Sequence, residues 1–383
     1  MKILIIPSWY PYPENPLAGK FFVDQAKALA KHSAHEFLIL NFGQNQYQLR
    51  IRKPLHSLAV LKRIKTDQAK RRKISSSLEE ITLPRLTWTS RIASGNLANV
   101  SLPDDVRPDL IYAQVSYPGG YVAMKIGEQL DIPYIIAEHS GPFPLPEFLQ
   151  FGKLSAKVTE PISKAKELIA VSSVLQKQIQ DTCGRKAIVI PNMVDTEFFA
   201  PSATARQDGP IKLFSMSAFT KDKGVEDLLE ALYIIWHRKV RFEMVWAGDG
   251  PLLKQIKKKA GKLPIRFAGV QNKMQVRTQF QACDIYVMPS RVESFSMVLI
   301  EAMSCGKPAV ATMCGGPSDI INSKTGILCE ANNPGALAGA IYTCMTNLKD
   351  YNEKTIRNNC LSHYDSKVVA QQILSVLEES ISS

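Results

Sequence analysis

The sequence lacks long apolar runs. Its 383 residues contain no unbroken apolar segment near the roughly 18 residues that a helix needs to cross a bilayer. The apolar run within the opening MKILIIPSWY has about five residues, which is too short for a signal-peptide core, and no small-residue cleavage site follows it. We interpret this segment as a first β-strand. We expect a cytoplasmic protein that at most lies peripherally on the inner face of the membrane.

The sequence also lacks paired cysteines. It has seven cysteines, an odd number, and none of them forms a C-x-x-C pair. Several stand within apolar runs, which indicates buried free thiols in a reducing compartment rather than disulfides or a metal site. The seven are Cys183, Cys283, Cys305, Cys314, Cys329, Cys344 and Cys360.

A dinucleotide fingerprint is missing as well. No G-x-G-x-x-G follows an apolar strand, which argues against a dinucleotide-dependent dehydrogenase. The composition, 45% hydrophobic and 21% charged, is that of a folded globular protein long enough for two cores. Strand and helix patterns alternate in both halves, which predicts parallel sheets with right-handed crossovers.

The alternation predicts an α/β protein with two Rossmann-like domains facing each other across a cleft. We place the first domain at residues 1–200 and the second at 211–365, with a polar linker at 201–210. A last amphipathic helix is predicted at 366–383.

Positive charge is concentrated at residues 50–73. This segment has ten Lys or Arg against one acid, Asp67, within a chain whose net charge is +12. Leu55, Leu58, Leu61 and Ile64 recur in it at three-residue spacing. A basic amphipathic segment of this kind suits an anionic membrane surface. A solvated loop without a partner is the alternative, and no aromatic or motif pattern supports nucleic acid.

The most informative stretch is 288–310, MPSRVESFSMVLIEAMSCGKPAV. It predicts a strand at Asp284–Met288, a helix at Ser296–Ser304 with Gly306 at its end, and a new strand after Pro308. Two carboxylates bracket the predicted turn, Glu293 before the helix and Glu301 on it.

The spacing of Glu293 and Glu301 suits a phosphorylated ligand. Eight residues correspond to roughly 12 Å along a helix axis, enough to span a diphosphate with a sugar on one side and a ribose on the other. The N–H groups of Phe295, Ser296 and Met297 are expected to favour an anion at the helix start. Two surface glutamates flanking a helix are the alternative, because an isolated E-x7-E is common.

Three further residues are candidates for ligand contacts. Lys223 stands before Gly224 in the turn after the first strand of the second half, where a lysine can neutralise a diphosphate. His139 follows an apolar strand, at the strand end where open parallel sheets bind ligands. Gly19 precedes a predicted helix and would let a phosphate approach the backbone, although simple turn geometry explains it equally well.

These segments together resemble the retaining glycosyltransferases of family 4 (glycosyl transferases group 1), which have the GT-B fold. The resemblance rests on 288–310, on AEHSGP around His139, on AVSS followed by VIPNMVDTEFFAP, and on KDKG at Lys223–Gly224. It covers nearly the whole chain, most specifically 212–328 and least at 44–107. In such proteins the last helix crosses back to the first domain.

The resemblance implies a nucleotide-diphosphate sugar donor, UDP- or GDP-linked, and no cofactor. Glu301 would hold the ribose, Glu293 a hydroxyl of the transferred sugar, and Lys223 the diphosphate, with His139 near the sugar. No Asp-x-Asp pair is present to hold a metal on the diphosphate, which agrees with the metal independence usual in this family. The implied acceptor is a glycan or a lipid-linked glycan, such as one used for bacterial capsule, O-antigen or exopolysaccharide.

The chain departs from the family pattern at two points. The arginine of the usual G-R-x-x-x-x-K-G is Ala218 here, and Lys221 and Arg291 are candidate substitutes. The usual E-G-F-G reads Glu293-Ser294-Phe295-Ser296, which keeps the backbone donors. Ala218 motivates a second reading, a non-catalytic nucleotide-sugar-binding protein. A third, a phosphorolytic or hydrolytic sugar enzyme, lacks its Schiff-base lysine motif.

Overall fold

Two parallel sheets, one in each of two units, organise the chain in the computed structural model. The structure describes residues 1–12, 15, 18–42, 48–49, 53–66, 68–83, 87–88, 100, 102–202 and 209–382. Unit 1 comprises Met1–Val171, Leu175–Ile190 and Ala370–Ser383, and unit 2 comprises Ser172–Val174 and Pro191–Val369.

The first 190 residues alternate strands and helices. The strands are β1 (Lys2–Pro7), β2 (Glu36–Asn41), β3 (Gln48–Leu49), β4 (Lys70–Lys73), β5 (Leu78–Thr82), β6 (Thr87–Trp88), β7 (Leu110–Gln114), β8 (Tyr134–Glu138), β9 (Leu149–Gln150), β10 (Lys153–Leu154), β11 (Glu167–Ala170) and β12 (Ile188–Val189). The helices are α1 (Lys20–Lys31), α2 (Pro54–Thr66), α3 (Tyr121–Leu130), α4 (Ala156–Lys164) and α5 (Ser173–Cys183).

An eight-stranded sheet in the order β12-β11-β8-β7-β1-β2-β5-β4 forms the centre of unit 1. All neighbours are parallel except β4 and β5. The central strands β7 and β8 are buried at every residue, as expected when both faces of a parallel sheet are covered. β1 lies between β2 and β7, so the strand order reverses there, at the point where open sheets bind ligands.

Unit 2 repeats the pattern. Its strands are β13 (Ile211–Met216), β14 (Phe242–Ala247), β15 (Ile265–Gly269), β16 (Ile285–Met288), β17 (Ala309–Thr312) and β18 (Gly326–Cys329). Its helices are α6 (Val225–His237), α7 (Leu253–Ala260), α8 (Lys273–Ala282), α9 (Met297–Ser304), α10 (Pro317–Ile320), α11 (Pro334–Thr346) and α12 (Glu353–Tyr364); α13 (Ser366–Ser382) follows. The parallel sheet has the order β15-β14-β13-β16-β17-β18, which reverses beside β13.

The division between the units lies at Ile190/Pro191, before the predicted linker at 201–210. Residues after Pro191 pack within unit 2, which explains the earlier division: the Phe199 ring lies edge-on to Phe280, and Arg357 donates to the carbonyl oxygens of Thr196 and Phe199, both at 3.1 Å. The part of the predicted linker at 203–208 lies outside the described residues. α13 belongs to unit 1 from Ala370 onward.

Most of the described part of the basic segment 50–73 is helix or strand. Residues 54–66 form α2 and residues 70–73 form β4, which pairs antiparallel with β5. The alternative interpretation is therefore wrong in expecting a loop at these residues, although most of them are exposed to solvent. Cross-strand carboxylates explain the strand, because Arg72 donates to Glu80. Arg50, Arg52 and Asp67 lie outside the described residues.

The cysteines are free thiols, and five of the seven are buried. Burial raises the pKa of the Cys283 thiol to about 12, which disfavours the reactive thiolate. Among the described residues, no helix is both long enough and apolar enough to span a membrane.

Candidate functional site

The strongest candidate site lies where the strand order of unit 2 reverses, at the carboxyl ends of β13 and β16. The segment after β13 forms a short 3-10 turn, Lys221–Lys223, and the segment after β16 leads through Pro289 to α9. Since β13 and β16 are neighbours in the sheet, the topology brings these two loops side by side.

The side chains of Lys223 and Glu293 contact each other where the loops after β13 and β16 lie side by side. The Lys223 Nζ lies 2.8 Å from Glu293 Oε1, and the buried Ser290 hydroxyl donates to the same oxygen at 2.9 Å. The side chains of Lys223 and Glu293 are 26% and 21% exposed, so both can still reach a ligand. Ser290 is not among the predicted site residues, although its position directly after an apolar strand is a usable signal.

The two loops also contact each other through their main chains. Gly224 has φ 61°, and a Cβ placed on it would lie 1.9 Å from the Pro289 carbonyl oxygen. Arg291 N–H donates to the Asp222 carbonyl at 2.7 Å. A glycine is therefore required at 224 for the lysine turn to reach the loop of Glu293.

The Arg291 side chain is paired with another residue of this chain. Its guanidinium donates to both carboxylate oxygens of Asp227, at 2.9 and 2.7 Å, and this hydrogen bonding raises the pKa of Arg291. The bidentate pair joins α6 to the loop after β16. Contact of Arg291 with a donor diphosphate stays a prediction, and Asp227 was not predicted. Lys221, the other candidate substitute for the missing arginine, is exposed.

Residues 314–316 hold the main chain of Glu293, and the two glycines among them allow the close approach. Its N–H donates to Cys314 O at 3.0 Å, and its carbonyl accepts from Gly316 N at 3.0 Å. A Cβ on Gly315 would lie 2.2 Å from Glu293 O, and one on Gly316 would lie 2.4 Å from Phe295 Cα. The main chain of Glu293 is thus positioned independently of its side chain.

Helix α9 begins one residue later than predicted. Ser296 is its N-cap, with the hydroxyl accepting from Leu299 N at 3.4 Å, so Met297 is the first helical residue. The Phe295 side chain is buried and lies edge-on to Tyr364, so only its backbone, like that of Ser294, is a candidate for ligand contact. Gly306 ends the helix with φ 74°, as predicted.

Tyr286, inside β16, responds to the charge of both candidate glutamates. Burial raises the pKa of Tyr286 well above its ordinary value, and the negative charges of Glu293 and Glu301 raise it further. The Tyr286 hydroxyl donates to Met216 O at 3.4 Å. Contact of Glu301 with a ribose stays a prediction.

The predicted residues of unit 1 lie at the carboxyl end of its own sheet. His139 follows β8, is buried, and its Nε2 lies 2.8 Å from Gln114 Oε1 at the end of β7. Gly19 has φ 62°, and a Cβ there would lie 2.1 Å from Trp9 O. Packing against Trp9 thus explains why residue 19 is a glycine, and a phosphate contact there stays a prediction.

Two family models match the chain. The model for glycosyl transferases group 1 matches residues 197–359, and the model for glycosyltransferase family 4 matches residues 23–198. Together they extend from 23 to 359 without a gap. The chain belongs to the family 4 glycosyltransferases.

Curated relatives agree with this family. An uncharacterized glycosyltransferase of Methanocaldococcus jannaschii is 30% identical over 62% of this chain and 66% of its own length. The Bacillus subtilis protein TuaC, named as a teichuronic acid biosynthesis glycosyltransferase, is 26% identical over 89% of this chain and 88% of its own. The match to the first relative therefore spans just under two thirds of that protein.

The fold of this glycosyltransferase is GT-B. The crystal structure of Anabaena HepE in complex with UDP and glucose superposes with a TM-score of 0.69, covering 99% of this chain and all of that chain. At 19% identity this likeness speaks for the fold alone.

Proposed function

We propose that this glycosyltransferase moves a sugar, with retention of configuration and without a metal, from a UDP- or GDP-sugar to a glycan or lipid-linked glycan. The observation that carries the proposal is the contact between Lys223 and Glu293 at the reversal point of the unit 2 sheet, beside the start of α9. The Anabaena protein has also been crystallised with UDP-glucose, which supports a donor of this class.

Charge complementarity supports a diphosphate at this site. The first N–H groups of α9 have no acceptor inside the helix, and the helix dipole favours an anion there. A lysine ammonium has three donors, so Lys223 can hold Glu293 and a phosphate oxygen at the same time. Glu293 would accept from a hydroxyl of the transferred sugar, and Glu301 from the ribose.

In the proposed reaction the acceptor oxygen attacks the anomeric carbon on the face from which the diphosphate leaves. The bond from that carbon to the phosphate oxygen breaks, the new glycosidic bond forms, and the acceptor proton passes to the leaving phosphate. Lys223 and the α9 N-terminus would stabilise the charge that develops on this phosphate. Glu293 and His139 would position the sugar and form no covalent bond to it.

The acceptor is proposed to be a glycan of a bacterial surface polysaccharide. The similarity to TuaC extends over nearly the full length of both chains, and that protein is named for teichuronic acid biosynthesis.

Nucleotide binding tests the site directly. We expect one class of nucleoside diphosphate to raise the melting temperature, because a ligand at 100 times its Kd stabilises a fold by about 2.7 kcal/mol. Lys223→Met should weaken binding about 10- to 100-fold, since a hydrogen bond to a charged group contributes about 1.5–3 kcal/mol. Thermal shift titrations over UDP, GDP and their sugars measure both effects.

Lys258→Met is the matched control, because it removes an exposed lysine of α7 in the same unit. Unchanged nucleotide affinity in Lys223→Met would refute the role of Lys223. Nucleotide release with and without acceptor, in the presence of EDTA, separates a metal-independent transferase from a protein that only binds the donor.

We propose in addition that α2 contacts an anionic membrane, which would bring the enzyme to a lipid-linked acceptor. Leu55, Leu58 and Leu61 are 82%, 62% and 41% exposed, and their spacing places them along one side of the helix. Lys53 and Lys62 are exposed beside them. Exposed leucines next to lysines favour a membrane surface over a purely solvated helix.

Liposome sedimentation tests this contact. We expect binding to vesicles with anionic lipid at low salt, reduced by salt and weak with neutral lipid. The variant Leu55→Ser/Leu58→Ser/Leu61→Ser should lose most of the binding but keep turnover on a soluble acceptor. Val270→Ser/Met274→Ser is the control, because these residues are 65% and 53% exposed in unit 2. Equal sedimentation of the leucine variant would contradict the proposal.

A further inference from the structure

A chain of buried amides in unit 1 ends on His139. Gln25 Oε1, from α1, accepts from Gln114 Nε2 at 2.7 Å and from the Tyr112 hydroxyl at 3.3 Å. The other end of the Gln114 amide, Oε1, lies 2.8 Å from His139 Nε2. Gln25, Gln114 and His139 are 4%, 1% and 8% exposed, so water does not compete for these bonds.

The direction of this chain determines where the imidazole proton lies. Gln114 uses its NH₂ group toward Gln25, so it presents a carbonyl oxygen to His139. A carbonyl oxygen only accepts, and His139 Nε2 must therefore donate. In the neutral ring the proton is then on Nε2 and the lone pair is on Nδ1.

Other contacts hold the ring and its backbone. The rings of Phe21 and Phe22 lie edge-on to the imidazole, at centroid distances of 5.4 and 5.2 Å. The buried Glu138 carboxylate accepts from the N–H groups of His139 at 2.9 Å and Ser140 at 2.8 Å. Its second oxygen accepts from Ser116 N at 2.9 Å. These contacts fix where the ring lies, and the Gln114 oxygen accounts for a proton on Nε2.

We propose that Gln114 is a positioning residue that keeps the proton of His139 on Nε2 and orients the ring, with Gln25 supporting the amide of Gln114. Gln114 ends a fully buried strand beside the point where the unit 1 sheet order reverses, and the two strands after that point, β7 and β8, supply Gln114 and His139. An apolar residue of equal size would fill this place without needing two partners. The expected effect of Gln114 on kcat rests on the proposed function of His139. The expected tautomer of His139 does not rest on that function.

Nitrogen NMR of the histidine rings tests the tautomer without any activity measurement. The protein has six histidines, so ¹⁵N-histidine labelling gives a simple spectrum, and the signals absent from His139→Gln identify residue 139. We expect a protonated Nε2 and an unprotonated Nδ1 in the neutral ring. In Gln114→Met, which removes the acceptor at similar volume, we expect a mixture of tautomers, and in Gln114→Glu a protonated Nε2 again.

Gln176→Met is the matched control, because Gln176 donates to the Ala187 carbonyl at 2.7 Å and belongs to the same unit. It should leave the His139 signals unchanged. A proton on Nδ1 in the native protein, or an unchanged tautomer in a folded Gln114→Met, would overturn the proposal. If Gln114→Met does not fold, the native spectrum together with Gln114→Glu still decides the question.

Kinetics then separates this inference from the proposed function. With saturating donor we expect Gln114→Met to lower kcat about tenfold and Gln114→Glu to recover part of the loss. A tautomer change with unaltered kcat and KM would uphold the positioning role of Gln114 and refute the role of His139 in transfer. Loss of kcat without a tautomer change would refute the positioning role of Gln114.

Discussion

Replacing Glu293 by glutamine is expected to lower kcat for sugar transfer by about 10²- to 10³-fold, the range seen when one preorganised electrostatic contact is removed. The substitution keeps the size of the side chain but removes the charge that faces Lys223 at 2.8 Å. The fold should survive, because main-chain hydrogen bonds to Cys314 and Gly316 hold residue 293 whatever its side chain. Steady-state kinetics beside a thermal melt measures both.

The control for this variant is Glu243→Gln, an exposed carboxylate on β14 of the same unit. The melting temperature should change little, since a partly exposed ion pair contributes about 0–1 kcal/mol. The double variant Glu293→Gln/Lys223→Met should lose less activity than the product of the two single losses, because the two side chains act together. A Glu293→Gln enzyme with turnover within a factor of about two of the native rate would remove Glu293 from the site.

Gly224→Ala is expected to destabilise unit 2 by about 2–5 kcal/mol. The backbone at 224 has φ 61°, a conformation that costs an alanine about 1–2 kcal/mol. The new Cβ would in addition lie 1.9 Å from the Pro289 carbonyl oxygen, and relieving such overpacking costs about 1–3 kcal/mol more. Since this turn carries Lys223, activity should fall together with the melting temperature.

Gly339→Ala is the matched substitution with the opposite expected sign. Gly339 lies within α11, and a Cβ placed on it would meet no atom within 4 Å. Alanine should therefore stabilise the helix by about 0.5–1 kcal/mol. Chemical denaturation of both variants measures the difference. Equal stabilities would contradict the explanation that contact with Pro289 requires a glycine at 224.

The pattern of the chain predicts much of unit 2 because its elements have clear boundaries. β16, Ile285–Met288, lies within the strand predicted at 284–288, and α9 starts at Met297, one residue after the prediction, because Ser296 serves as its cap rather than its first residue. The basic segment was harder to interpret. Its lysines and arginines gave no strand signal at 70–73. The strand there is stabilised by antiparallel pairing with β5, where Arg72 donates to Glu80, and by the contact of Arg71 with Asp105.

The residues of the candidate site were likewise predicted only in part. Glu293, Lys223 and His139 were predicted because each follows a strand in a recognisable motif. Asp227 and Gln114 were missed because their partners lie 64 and 25 residues away along the chain, where no local pattern signals the contact. The partner of Arg291 could not be predicted for this reason. Ser290 was missed although its partner Glu293 lies only 3 residues away.

By itself, the sequence determined that the chain has two α/β units with parallel sheets, and it determined the family. Hydrophobic periodicity and short motifs are local properties of the chain, and both conclusions depend on them. Only the tertiary structure decided which side chains meet: Lys223 with Glu293 across 70 residues, Arg291 with Asp227, and the Gln114 amide with His139. The physical reason is that neighbouring parallel strands end at the same edge of a sheet. In unit 2 the strand order makes β13 and β16 neighbours, and in unit 1 β7 and β8 are neighbours. Loops that are far apart in sequence therefore meet there, in contacts of 2.7–2.8 Å that residue spacing does not encode.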